Sequence, residues 1–105
     1  MSDPIMVVTT TPHRGDAERI AQGLVERYLV ACAQISGPIT SVYRWQGAVE
    51  TAQEWRCVAK TDRAKYEAVE QAIRQLHPYE VPEIVVTPIV AGSQAYLDWL
   101  QAALK

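Results

Sequence analysis

Leu76-His77-Pro78-Tyr79-Glu80-Val81-Pro82-Glu83 is the stretch where a helical pattern gives way to an extended one, and its reading sets the architecture on both sides. Each proline fixes its own φ and pushes the residue before it out of the helical region. His77 and Val81 are therefore expected to be extended, and the link between them stiff. Upstream, Tyr66, Val69, Ile73 and Leu76 recur at offsets of three and four, which predicts an amphipathic helix capped by Asp62. Downstream, Glu83 to Val90 is mostly Ile and Val and predicts a strand. Pro88 inside it cannot donate a ladder hydrogen bond, so this strand is an edge or is bulged, and an apolar edge needs a cover. Gly92-Ser93 ends the strand and caps a last helix whose apolar stripe is Tyr96, Leu97, Leu100 and Leu104.

The first half of the chain repeats this alternation. Ile5 to Val8 leads into three threonines and predicts a buried strand ending at Pro12. Asp16 is the expected N-cap of a helix with apolar positions at Ile20, Ala21, Leu24, Val25, Tyr28 and Leu29. A β region from Cys32 to Trp45, broken at Gly37-Pro38, turns at Gln46-Gly47 and returns from Ala48 to Thr61. A two-residue turn puts Trp45 opposite Ala48 and Tyr43 opposite Glu50. The arms are long for so short a chain. The order β-α-β-β-α-β plus a helix is the split βαβ pattern of an α+β, ferredoxin-like sandwich with an antiparallel sheet, here one domain over residues 1–105.

Composition excludes several classes of function. A net charge of −2 without a basic run gives nucleic acid or an anionic membrane little to hold. No apolar run approaches the roughly 18 residues of a membrane span, and the start Met1-Ser2-Asp3-Pro4 lacks the features of a signal peptide, so the expected location is cytoplasmic. Cys32 and Cys57 lie in apolar company without a CxxC pair and read as buried free thiols.

Several blocks resemble the CutA family, named for divalent-cation tolerance. They are Leu24-Val25-Glu26 and Ala31-Cys32-Ala33, the hairpin Thr40-Ser41-Val42-Tyr43-Arg44-Trp45-Gln46-Gly47, Lys60-Thr61, His77-Pro78-Tyr79-Glu80-Val81-Pro82-Glu83, and Tyr96-Leu97-Asp98-Trp99-Leu100. The resemblance implies a ferredoxin-like protomer in a compact homotrimer, with strands extended across subunit boundaries. It also implies a link to tolerance of copper and other divalent ions. The family's proposed copper ligands are a cysteine late in the first strand and paired histidines before Pro-Tyr. This chain carries Thr9 and Leu76 at two of those places and keeps His77 alone. One imidazole does not hold a transition metal selectively, so copper is expected to bind weakly and no cofactor is required.

The candidate metal residue is His77, with a polar pocket or helix-end packing as its other readings. The candidate ligand-binding set is Tyr43, Trp45, Glu50, Tyr79 and Glu83, an aromatic wall beside carboxylates; packing or interface anchoring is the competing reading of the aromatics. No nucleophile triad, phosphate loop or HExxH motif is present, so the expected protein is not an enzyme. The preferred function is a trimeric module that binds a metal ion or small ligand at an intersubunit cleft and acts in response to metal ions. A stable trimeric scaffold for a protein partner is the alternative. A hydrolase or proton-transfer enzyme using His77, Tyr79 and Glu83 stands third.

Overall fold

The computed structural model describes residues 2–105. Along the chain run β1 (Pro4–Thr11), α1 (Arg14–Glu26), β2 (Cys32–Trp45), β3 (Ala48–Asp62), a 3₁₀ turn (Arg63–Lys65), α2 (Tyr66–Leu76), β4 (Val85–Pro88) and α3 (Gln94–Ala102). The sheet order is β2-β3-β1-β4 with every neighbouring pair antiparallel, the ferredoxin-like α+β arrangement expected.

Period-two alternation assigns the two faces of the sheet. Ile5, Val7 and Ala59 point to one side and are buried against Ile20 and Leu24 of α1 and Val69, Ala72 and Ile73 of α2. Helix α3 closes one end of the sandwich, where Leu100 and Leu104 meet Ala31. Helix α1 stops in a Schellman motif: Leu29 N–H reaches the Leu24 carbonyl at 3.1 Å and Tyr28 N–H the Val25 carbonyl at 3.0 Å. Tyr28 occupies the left-handed position usually given to glycine, with φ 58°.

Four boundaries differ from expectation, the first being that α1 ends at Glu26, so Tyr28 and Leu29 fall beyond it. His13 is the N-cap of α1 and the helix is already formed at Arg14, so Asp16 lies inside the first turn, where its carboxylate still faces the positive end of the dipole. Asp62 does cap, accepting from Ala64 N–H at 3.0 Å, but it opens the 3₁₀ turn that leads into α2. The last strand is only Val85–Pro88 rather than Glu83–Val90. Strand β1 offers it partners only from Ile5 to Val8, and the carbonyl of Thr10 further along is taken by the ring of His77. Pro88 sits on the edge strand, as its missing N–H requires.

The β2–β3 hairpin follows its predicted register, with Trp45 opposite Ala48 and Tyr43 opposite Glu50. Gln46 and Gly47 both adopt positive φ, 49° and 82°, the pair of values a tight two-residue hairpin needs. A register shift between Ser36 and Ile39 marks the Gly37-Pro38 break. Strand β1 accompanies β3 only as far as the Thr11–Trp55 pair. Beyond it the hairpin projects as a two-stranded ribbon, and the protomer measures 45 × 25 × 22 Å.

Candidate functional site

The proline-bounded segment after α2 folds back under the root of this ribbon. His77 ends α2 in an extended conformation (φ −83°, ψ 138°), as the following proline dictates. Its ring is buried and both nitrogens are engaged by backbone. Nδ1 accepts from Tyr79 N–H at 3.0 Å, which leaves Nε2 to carry the proton and donate to the Thr10 carbonyl at 2.7 Å. Burial holds this imidazole below its ordinary value of 6.5, although the Thr10 carbonyl pulls the other way. His77 thus pins the segment to β1 as a neutral tautomer.

Tyr79 packs on that ring, with centroids 5.0 Å apart, and its hydroxyl donates to Glu54 Oε2 at 2.9 Å. Burial and the adjacent Glu54 carboxylate push the phenol up to about 12, so it remains a proton donor throughout the neutral range. Glu54 comes from β3, opposite Ile39, and is only 8% exposed. Its second carboxylate oxygen has no hydrogen-bond partner, and no Lys, Arg or His pairs with it, among the described residues.

Above this pair lies a groove of about 890 Å³ between the ribbon and residues 78–83. Tyr43, Trp45, Tyr79 and Glu83, four of the five residues singled out for ligand binding, line it together with Glu54 and Glu80. Glu50 does not line it although it stands opposite Tyr43, and His77 lies beneath it rather than in its wall. Sequence reasoning missed Glu54 and Thr10. The signal for Glu54 was present: in the predicted hairpin it falls four residues from Glu50, on the same face as Tyr43. None of the residues lining the groove is basic.

The remaining candidates lie elsewhere. His13 is exposed on its loop. Cys57 is buried under α1, and burial raises its thiol to about 11, so it is protonated and inert. Cys32 is only half-buried, against expectation, because β2 is an edge strand; its Sγ lies 3.7 Å from the Tyr96 hydroxyl.

The family model described as CutA1 divalent ion tolerance protein matches residues 5–103. The chain belongs to the CutA family. Among its relatives is the divalent-cation tolerance protein CutA of Thermus thermophilus, 44% identical over 96 residues that make up 91% of this chain and 93% of that protein. The fold is similar to the crystal structure of CutA1 from Oryza sativa, with a TM-score of 0.96 at 33% identity over 99% of this chain and 95% of the other. It is also similar to a CutA from Archaeoglobus fulgidus described as a periplasmic divalent cation tolerance protein, with a TM-score of 0.93 at 34% identity over 97% of this chain and 99% of that one.

Proposed function

We propose that this CutA-family protein is a homotrimeric, non-enzymatic binding module that takes a small ligand at a cleft completed by a neighbouring subunit and acts in the cell's response to metal ions. One observation carries the reading: the ribbon and the proline-bounded segment build a groove with an aromatic wall, in which one oxygen of the Glu54 carboxylate is left free of protein partners among the described residues. Half-apolar concavities with a few placed polar groups are the usual makeup of ligand sites.

Assembly is supported by the ribbon. Two strands alone are marginal in water, and here they expose Val42 and Val49 where the protomer provides no cover. A second subunit laid along the ribbon would bury these side chains and would also pair the edge strands β2 and β4 or shield them.

A tight copper centre does not fit the residues present. Both nitrogens of His77 are committed, and no group of three or more His, Cys, Asp or Glu among the described residues is placed to hold a metal ion. Divalent-ion binding in this reading is weak. No described helix is long and apolar enough to cross a membrane. A cytoplasmic location is our proposal, and the Archaeoglobus relative's periplasmic description makes cell fractionation its natural check.

The test combines light scattering with calorimetric titration of copper(II) into the protein and into His77→Ala. A trimeric mass with weak, substoichiometric copper binding agrees with the proposal. A stable monomer at micromolar concentration would overturn the cleft, and tight stoichiometric copper binding that survives the substitution would place the metal ligands elsewhere. The exposed apolar ribbon also suits a scaffold for a protein partner. That reading gains if the trimer forms but nothing small raises its melting temperature.

A further inference from the structure

Resting on the groove as a ligand site, we propose that its ligand is a primary alkylammonium, seated with its charge on Glu54 and its chain along Tyr43, Trp45 and Tyr79. Three features of the groove converge on this class. First, Glu54 is a nine-tenths buried carboxylate compensated by one phenol hydroxyl and by no cation among the described residues. Its Oε1 has no protein partner among the described residues and is not sealed from solvent, so a ligand in the groove can reach it, and a cationic donor there forms a charge-assisted hydrogen bond. Second, the other titratable groups lining the groove reinforce the sign: Glu80 and Glu83 stand at its rim, and no Lys, Arg or His lines it. Third, the wall is aromatic, and ring faces attract cations as well as the apolar chain that carries one.

The geometry also separates one kind of cation from others. Tyr79 already donates to Oε2 of Glu54, which leaves Oε1 the more open oxygen and disfavours the two-pronged fork that a guanidinium prefers. A primary ammonium needs only one of them. A quaternary ammonium has no N–H for the free Oε1 and would use the rings alone. A bare divalent ion wants several converging oxygen ligands at short range, whereas aromatic rings supply none.

The experiment titrates the full chain, in its native assembly state at constant ionic strength, with butylammonium, butan-1-ol, butyrate and tetramethylammonium. Nα-acetyl-lysine amide forms a further arm, separating a free amine from a lysine side chain presented by a peptide. Butylammonium should bind about tenfold or more tightly than the neutral alcohol of the same chain length, the worth of one charge-assisted hydrogen bond. Glu54→Gln should bring that ratio to near one while the melting temperature and trimer mass hold, because the amide oxygen still accepts from Tyr79. Tyr79→Phe should move affinity the other way, tightening butylammonium, because the carboxylate then keeps the charge that it now shares with the phenol hydroxyl. A role for the pair in structure alone would weaken or spare binding in both variants. Equal binding of the alcohol, preference for butyrate, or tetramethylammonium binding as well as the primary amine would overturn the proposed class while leaving the groove a ligand site. Binding of none of the probes would overturn both.

Discussion

The two ends of one hairpin make the instructive contrast in this molecule. At its root, β2 and β3 carry Cys57 and Ala59, 1% and 2% exposed, under two helices and beside β1. At its tip the same two strands, paired again beyond the shift at Gly37-Pro38, carry Val42 and Val49 at 67% and 65% exposed. Antiparallel pairing holds at both ends. The difference lies in a covering layer, since β1 stops at Thr11, where α1 begins and α2 finishes. An alternating apolar pattern therefore records that a face is meant to be covered, without saying by what. At the root the cover comes from the same chain; at the tip the protomer supplies none.

Substitutions at the two ends should separate these roles. Leu24→Ala beneath the root leaves a cavity in a fully packed region and should cost about 2–5 kcal/mol of folding stability, read from denaturant unfolding. Val42→Ser at the tip should change subunit folding by no more than about 0.5 kcal/mol while raising the concentration at which the assembly falls apart on dilution. Equal losses of folding stability from both would erase the distinction between root and tip.

The second effect belongs at the border between the two regions. A Cβ on Gly37 would lie 2.6 Å from Trp55 Cδ1 and 2.8 Å from Cγ. Those atoms sit near the base of the indole, which packs against Ala17, Ala21 and Cys57, so the ring cannot swing clear without disturbing α1. Gly37→Ala should destabilise by about 1–3 kcal/mol, checked by the denaturation midpoint. If it is neutral, the tip is mechanically independent of the root, and the contrast is sharper than the packing suggests.

Most of the fold was legible because it rests on local signals. Pro78 and the Gln46-Gly47 turn act through their own backbone and Ser93 through its own hydroxyl, and each took the predicted conformation or role. The misplaced boundaries had non-local causes. Strand β4 is short because the ring of His77 takes a carbonyl that the sequence could not know was engaged. In the candidate site, the hairpin register made the aromatics legible and put Glu54 on their face, but it did not show that Glu54 is buried. Its burial depends on Tyr79 arriving from 25 residues away, and periodicity within β3 does not report that contact. The expectation that Cys32 is buried failed for a related reason: apolar neighbours in sequence do not show that a strand is an edge.

His77, the fastener between the proline-bounded segment and β1, gives a smaller effect with a pH signature. In the unfolded chain its imidazole takes a proton at about 6.5, whereas in the folded protein burial delays protonation to lower pH, with Arg19 acting the same way and Asp16, Glu54 and the Thr10 carbonyl opposing it. Below 6.5 the unfolded state therefore binds more protons than the folded one. The contribution of His77 is complete above that value and is lost as pH falls through the depressed one. Protonation also destroys the Nδ1 lone pair that Tyr79 N–H uses. Stability measured from neutral pH down to about pH 5 should fall more steeply for the native chain than for His77→Gln. Parallel curves would mean that the segment is held by its prolines and not by the ring.

The smallest effect concerns the covered half of the sheet and has the opposite sign. Thr9 lies on the helix-facing side of β1 opposite Cys57, and its Oγ1 is buried without a hydrogen-bond partner among the described residues. Its neighbours Thr11 and Thr61 on the same face are also buried, but their hydroxyls donate to the carbonyls of His13 at 2.8 Å and Leu29 at 2.6 Å. An unsatisfied hydroxyl carries its desolvation cost with no bond in return, and a methyl of similar shape does not. Thr9→Val should therefore stabilise by up to about 1 kcal/mol, whereas Thr61→Val should destabilise by a similar amount, both read from urea midpoints at constant slope. If Thr9→Val destabilises instead, its hydroxyl has a partner that the protomer alone does not show, and the root of the sheet is less self-sufficient than its packing implies.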